Sequence, residues 1–481
     1  MFRTTDDRSN FEALESRLAL SIAGPEVFES VFPEGFSSTR INEYVPMTNT
    51  NDFAVSWELI ARYEFGERDQ TLGTGTLAAN TRGGVTISDV LRPQDMLVRP
   101  NVPYALVLRA SAPLAATLSH YDFGSSIGET FTTQRNEEWT FGDGLKNNAV
   151  SRDYFLVYNP QAVTAMVTIT LFFEDGSRFN QDIFVSPFRR AGWSIANLTV
   201  PDGVFSTRIL SDIPIVASHS HYDIAQGRGY GELGSPGGGR PAGVISTIDN
   251  DDGFYEINGD ERNGIRFDAQ SYLSILNTGS LAASVTLNFI LDEAGDPPPI
   301  VRTINAEPGR TTFTVDNLDL PIGDEFGVVY ESDRSVTITG SVYQGRDATG
   351  QTAVGVAATE WSFGEGFMSR NRAGGQVIED LYIFNPDNES TTVTIELVFN
   401  DGSVITINRG VDDREFEDVE MHNLEELLAR PASMNWYGIR VTSPTPVVVT
   451  FEHWDGALGG GFQTAGLAGG TIVLLADVLD L

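Results

Sequence analysis

The sequence predicts an all-β fold class: four tandem β-sandwich domains of immunoglobulin or fibronectin type. Three observations predict it. First, a strand–Asn–strand unit recurs around Asn49, Asn159, Asn277 and Asn385, at spacings of 110, 118 and 108 residues. Those spacings are too long for solenoid repeats and suit whole sandwich domains. Second, Val163–Gly176, Ala282–Gly295 and Ser390–Gly402 alternate apolar and polar residues, are rich in Val, Ile, Thr and Phe, and end in acidic glycine turns, the signature of half-buried hairpins. Third, each copy closes on a similar hairpin: YALVLRASAPLAATLSHYD, FSTRILSDIPIVASHSHYD, FGVVYESDRSVTITGSVYQ and YGIRVTSPTPVVVTFEHWD.

Laid along the chain, these units give a leading segment at 1–24 and sandwiches at 25–135, 136–240, 241–356 and 357–481. The openings repeat as FPEG (Phe32–Gly35), WTFGDG (Trp139–Gly144) and WSFGEG (Trp361–Gly366); the third domain substitutes FYEINGDERNG. After the Asn hairpin each copy has another strand, such as Arg178–Val185 or Val404–Asn408, and then a short Leu-containing stretch. In the fourth copy that stretch, Asn423–Arg430, reads as a short helix ended by Pro431. Gly227–Gly243 is the most glycine-rich segment and reads as a flexible hinge or loop.

Composition narrows the function. With 31 Lys+Arg against 66 Asp+Glu, the chain carries a net charge of −35, and Lys146 is its only lysine. Such a surface repels phosphate backbones and anionic headgroups, which argues against nucleic acid and membrane-surface partners. An apolar content of 41% supports packed cores in spite of that charge. The absence of cysteine excludes disulfides, thiol catalysis and Cys-type zinc sites. No stretch has the run of about 18 apolar residues that a membrane span needs. Leu18–Ala23 is shorter than a secretory h-region and follows Glu12 and Glu15, against an ordinary signal peptide.

Candidate chemistry is sparse. His120, His221 and His453 share one repeated position, where the third domain has Val342; strand parity puts them at a core edge, with metal binding as the alternative. His219 adds an i, i+2 pair with His221, a two-ligand start for a transition metal. The loop Asp249–Gly264 is the calcium candidate, with Asp249, Asp251, Asp252, Asn258, Asp260 and Asn263 as oxygen donors, although its spacing is not that of an EF-hand. A solvated acidic loop is the competing reading, and no other cofactor is implied. No nucleophile elbow, phosphate loop, zincin helix or dinucleotide fingerprint occurs. Asp412 and Asp413 are adjacent on a strand and so face opposite ways. Trp57, Trp193 and Trp436 read as core or joint residues, with sugar stacking as the alternative. The chain is therefore expected not to be an enzyme.

Two resemblances bear on location. FEALESRLALS (Phe11–Ser21) resembles the LEPR-XLL sorting motif of planctomycete surface proteins, departing from it at Ser16 (Pro in the family) and Ala19 (Leu). The repeated opening, Asn turn and closing hairpin resemble tandem β-sandwich domains of uncharacterised bacterial surface proteins. Together they imply a secreted protein of the cell surface or extracellular space, without enzymatic activity. The expected role is structural, as a subunit of a fibre, layer or appendage that self-associates; an adhesin or glycan-binding protein using domain-tip loops is the alternative. The apolar run Thr471–Leu481 either closes its own domain or adds as a strand to a neighbouring molecule, which would build filaments head to tail.

Overall fold

The computed structural model describes residues 27–64, 68–122, 125–249, 270–291, 298–321, 325–344, 347–368, 377–430 and 435–479. Phe11–Ser21 and the calcium candidates Asp251, Asp252, Asn258, Asp260 and Asn263 lie outside these residues; Asp249 ends a strand, but its side chain also lies outside the description.

The chain is all-β and multi-domain. The first domain has eight strands: β1 (Phe28–Phe32), β2 (Asn42–Asn49), β3 (Val55–Tyr63), β4 (Gln70–Leu77), β5 (Thr81–Ser88), β6 (Tyr104–Ala110), β7 (Ala115–Asp122) and β8 (Ser125–Thr130). They form two antiparallel sheets, ordered β1-β6-β3-β4 and β5-β2-β7-β8. The other three domains repeat both orders, with the counterparts of β6 and β7 fused into one long strand that runs through both sheets: Gly203–Asp223, Glu325–Gln344 and Asn435–Asp455. These are sandwiches, but the strand order is not the ABED and CFG arrangement of an immunoglobulin constant domain.

The repeated asparagine has a direct physical cause. Asn159 is fully buried and its Nδ2 donates to the Val163 carbonyl (2.7 Å) and, across the hairpin, to Val185 (3.0 Å) and Ser186 (3.3 Å). Its Oδ1 accepts from the Gln161 amide (2.9 Å). Asn49 and Asn385 make the same four bonds, and Asn277 makes three of them, to Leu281, Ala306 and the Gly279 amide. One side chain thus satisfies carbonyls that a turn leaves without ladder partners, and leaving them bare in a core costs about 1–3 kcal/mol each. The opening tryptophans are likewise repeated anchors, with Trp139 Nε1 donating to the Ile215 carbonyl and Trp361 Nε1 to that of Val447.

The domains do not lie end to end. They close into a ring in which domain 4 meets domain 1. β8 and its counterparts Arg228–Leu233, Asp347–Thr352 and Gly460–Ala465 adjoin one another around the centre. Glycine permits this approach. A Cβ on Gly231 would stand 2.4 Å from Ile127, one on Gly350 2.1 Å from Tyr230, and one on Gly128 2.0 Å from Phe462. A large side chain of each strand therefore seats on a glycine of the next. At the remaining crossing the sizes are exchanged: register places the small Thr349 at the large position and Gln463 at the glycine one.

One sequence expectation changes here, and one open alternative is decided for closure within the domain. Gly227–Gly243 is not a hinge: it supplies the central strand Arg228–Leu233 and then a tight turn, with Gly237, Gly238 and Gly239 all at positive φ (77°, 83° and 98°). Nor is the C-terminal strand left for another molecule. Leu467–Leu474 pairs with Val356–Phe363 of its own domain, and a short helix, Leu475–Val478, follows it. Leu475 and Leu479 then pack with Ala242, Val244, Ile290 and Val329 of domain 3. As far as Leu479, the apolar run is consumed in its own sandwich and in the joint beside it. The short helix expected near Asn423 forms at Glu425–Leu428.

Candidate functional site: buried ion pairs and the joints of the ring

The histidines find their meaning in the strand register. β2 and its counterparts lie beside β7 and its counterparts, so that Glu43 faces His120, Asp153 faces His221, and Glu379 faces His453. All six residues are at least nine-tenths buried. His453 Nδ1 is 2.7 Å from Glu379 Oε1, and His221 Nδ1 is 2.8 Å from Asp153 Oδ1. His120 Nδ1 stands 3.8 Å from Glu43 Oε1, an ion-pair separation. In domains 1 and 4 a tyrosine, Tyr104 or Tyr437, also donates to the glutamate. Burial pulls His120 and His453 down, but the facing carboxylates prevail and raise both above the ordinary histidine range. Burial in turn raises Glu43 and Glu379, against the pull of their histidines.

The third domain explains why the pairing was hard to see. There Ser271 faces Val342, and Phe326 stands at the tyrosine position. Acid, histidine and hydroxyl are absent together, as buried charge requires, because one member alone would be left uncompensated. The valine at position 342 is thus no sign that the histidine position is indifferent to charge. The available sequence signal was the acid six residues before each repeated Asn, present wherever the histidine is.

Domain 2 varies the theme. Its acid is the shorter Asp153 and its tyrosine position holds Phe205, while His219, two residues from His221, occupies the place of Leu118 and Phe451 in domains 1 and 4. His219 Nε2 lies 2.9 Å from Asp153 Oδ1, and its Nδ1 3.1 Å from Glu232 Oε1. The ring stacks on Phe155, with centroids 4.3 Å apart and planes 3° from parallel. His219 so supplies the second donor that the tyrosine gives elsewhere. Burial opposes its charge, yet Asp153 and Glu232 hold it up at about 9. Asp153 Oδ2 accepts the Leu145 amide at 3.1 Å. Ligand-type atoms of Asp153, His219 and His221 lie within 4.8 Å of one another.

The opening motifs are joint motifs. The acid of each opening reaches a serine of the neighbouring domain: Ser220 Oγ donates to Glu34 (2.7 Å), Ser341 Oγ to Asp143 (2.9 Å), and Ser119 Oγ to Glu365 (2.8 Å). Beside each stands an arginine from the β5 position of the same neighbour. Arg190 Nε donates to the Pro33 carbonyl (2.9 Å) and pairs with Glu64. Arg310 Nη1 donates to the carbonyls of Gly142 (2.7 Å) and Phe205 (2.6 Å), and its Nη2 to Asp143 Oδ1 (3.0 Å). Arg82 lies over Trp436, with 5.0 Å between guanidinium and ring centroid. Burial would raise Asp143, but Arg310, His221 and Ser341 together hold it far below the usual carboxylate range. Between domains 3 and 4 the arginine position is Phe416, tilted against Phe384 with ring centroids 4.7 Å apart and seated against Gly327, and the joint is apolar. Trp193 lies in the core of domain 2, Trp57 is half-buried, and Trp436 stacks on Phe367 at 4.0 Å. Asp412 and Asp413 lie not on a strand but just past Val404–Val411, where the chain turns; both are exposed and away from these pairs, with Asp412 Oδ1 accepting from Ser390.

A cavity of about 570 Å³ opens at the joint of domains 2 and 3. Its lining includes His221, Arg228, Tyr272, Arg310 and Tyr343. No helix among the described residues is long and apolar enough to cross a membrane.

No family model matches the chain, and no curated protein matches it. Among solved structures it is similar to Thermotoga maritima 1070, at 24% identity over 21% of this chain and 94% of that one, with a TM-score of 0.20. It is also similar to the Anabaena sensory rhodopsin transducer, at 21% identity over 18% of this chain and 84% of that one (TM-score 0.17). A tetra-tandem repeat from the extending region of a large adhesion protein matches 93% of this chain and 99% of its own, at 10% identity and a TM-score of 0.10. These likenesses assign the chain no activity.

Proposed function

We propose that this chain is a non-enzymatic structural protein of the bacterial cell surface or extracellular space, built as a self-contained four-domain ring. The observation that carries the reading is where the repeated polar residues go. Asn159 and its counterparts complete turns, and Glu34, Asp143 and Glu365, with Arg82, Arg190 and Arg310, hold one domain to the next. Self-association, if it builds a layer or fibre, then runs through outer edge strands such as β4 and Arg178–Val185, which pair on one side only among the described residues. Met166 and Phe184 face each other across that second edge hairpin and are 45% and 71% exposed. Negative-stain microscopy of purified protein tests the reading: discrete four-lobed particles, or layers or fibres assembled from such particles, support it, and chains whose four domains lie in open file would end it.

A second reading, binding of a polar ligand such as a glycan, is favoured by the cavity between domains 2 and 3, where Tyr272 and Tyr343 offer ring edges and faces beside Arg228. A glycan array separates the two, since a pure scaffold retains no glycan selectively.

A further inference from the structure

We propose that Asp153, His219 and His221 form a binding site for one divalent transition-metal ion of the zinc class, reached from the cavity between domains 2 and 3. Three features beyond the clustering support it. The two imidazoles approach the same carboxylate oxygen, at 2.9 and 2.8 Å, from residues i and i+2 of one strand face, so a small retreat of the three groups leaves a metal-sized centre between them. The outer shell is also present. Glu232 holds the far nitrogen of His219 and the Leu145 amide holds the second oxygen of Asp153, the arrangement that orients metal-bound histidines and carboxylates. And there is a way in, because His221 lines the cavity.

The other domains show what the site needs. Domains 1 and 4 keep the histidine and put a glutamate at the acid position, but Leu118 and Phe451 replace the second imidazole and a tyrosine hydroxyl occupies the carboxylate. Two nitrogens and one oxygen meet only in domain 2 among the described residues. Two imidazoles and a carboxylate suit Zn2+, Co2+, Ni2+ or Cu2+ and leave a fourth position for water or a ligand from the cavity. With no cysteine and five histidines in the chain, few competing donors of comparable softness exist.

Binding of Co2+ and Zn2+ to chelator-stripped full-length protein tests this. The expected result is one Co2+ per chain with the visible absorption of a tetrahedral centre, displaced by one equivalent of Zn2+. His219→Gln and His221→Gln should each abolish the cobalt spectrum and weaken binding at least about 100-fold; far-ultraviolet circular dichroism checks that each is folded. His219→Leu, which copies the side chain of domain 1, is a second probe should the glutamine variant fail to fold. The absence of stoichiometric binding by the folded protein overturns the proposal. So does binding that survives in the folded variants, which would place the ion on the acidic surface.

Discussion

Replacing Arg310 with methionine is the sharpest test of how the joints are held. The side chain is 1% exposed and serves five acceptors: the Gly142 and Phe205 carbonyls, Asp143 Oδ1, Ser206 Oγ and Ser274 Oγ. Removing one partner of a buried ion pair costs about 3–5 kcal/mol, because the survivor stays buried and uncompensated. Asp143 keeps bonds from Ser341 and from Tyr230 (3.0 Å), and the Gly142 carbonyl keeps the Ser206 hydroxyl, which softens that loss, while the Phe205 carbonyl loses its Arg310 donor at about 1–3 kcal/mol. Methionine recovers part of the packing, so the net expectation is about 5 kcal/mol. Hydrogen exchange by mass spectrometry should show it locally, with residues 136–146 and 270–277 opening while domain 4 stays protected. Adding Asp143→Asn removes the stranded charge and should recover about 1–3 kcal/mol, a coupling expected of groups in direct contact. A loss under about 1 kcal/mol, or a strictly additive double variant, would refute the reasoning.

Three further outcomes follow from the same geometry. Burial pushes Glu129, at the centre of the ring, up to about 8 from an ordinary 4.5. Between those values the folded chain keeps a proton that the unfolded chain has released, so this group's contribution is full at low pH and falls by about 1.4 kcal/mol per pH unit as pH rises. Glu129→Gln, which copies Gln351 at the same position of domain 3, should flatten urea stability between pH 6 and 8.5; an unchanged slope would contradict this. Gly128→Ala drives a methyl into the Phe462 ring and should cost about 1–3 kcal/mol, while Gly410→Ala, which meets nothing within 4 Å, should be neutral. Truncation before Leu467 removes the strand beside Val356–Phe363 and empties the places of Leu475 and Leu479, so domain 4 should become protease-sensitive at its joint with domain 3. A truncated chain that resists protease would show the strand to be dispensable there.

The sandwiches were legible because alternation and turn chemistry are local properties, and the Asn turn is one residue doing one job within a hairpin. The ring was not, because its determinants lie in different domains. Glu365 and Ser119 are 246 residues apart, and nothing within either segment says that they meet. The openings were visible as repeats, yet a glycine–acid–glycine motif reads as a turn until a neighbour's serine and arginine are seen on it. Gly231, inside Gly227–Gly243, reads as a loop residue because a glycine chosen for close approach and one chosen for flexibility are spelled alike. The His–acid pairs fell between these cases. Their cross-strand spacing is local to a domain, but recognising it required reading Ser271 and Val342 as one joint change.

Small-angle X-ray scattering from monodisperse protein tests ring closure most directly. A closed, compact arrangement of 481 residues predicts a radius of gyration near 23 Å. Four such domains in file would give about 40 Å, and a value near that figure would contradict the contacts between domains 4 and 1 on which the account rests.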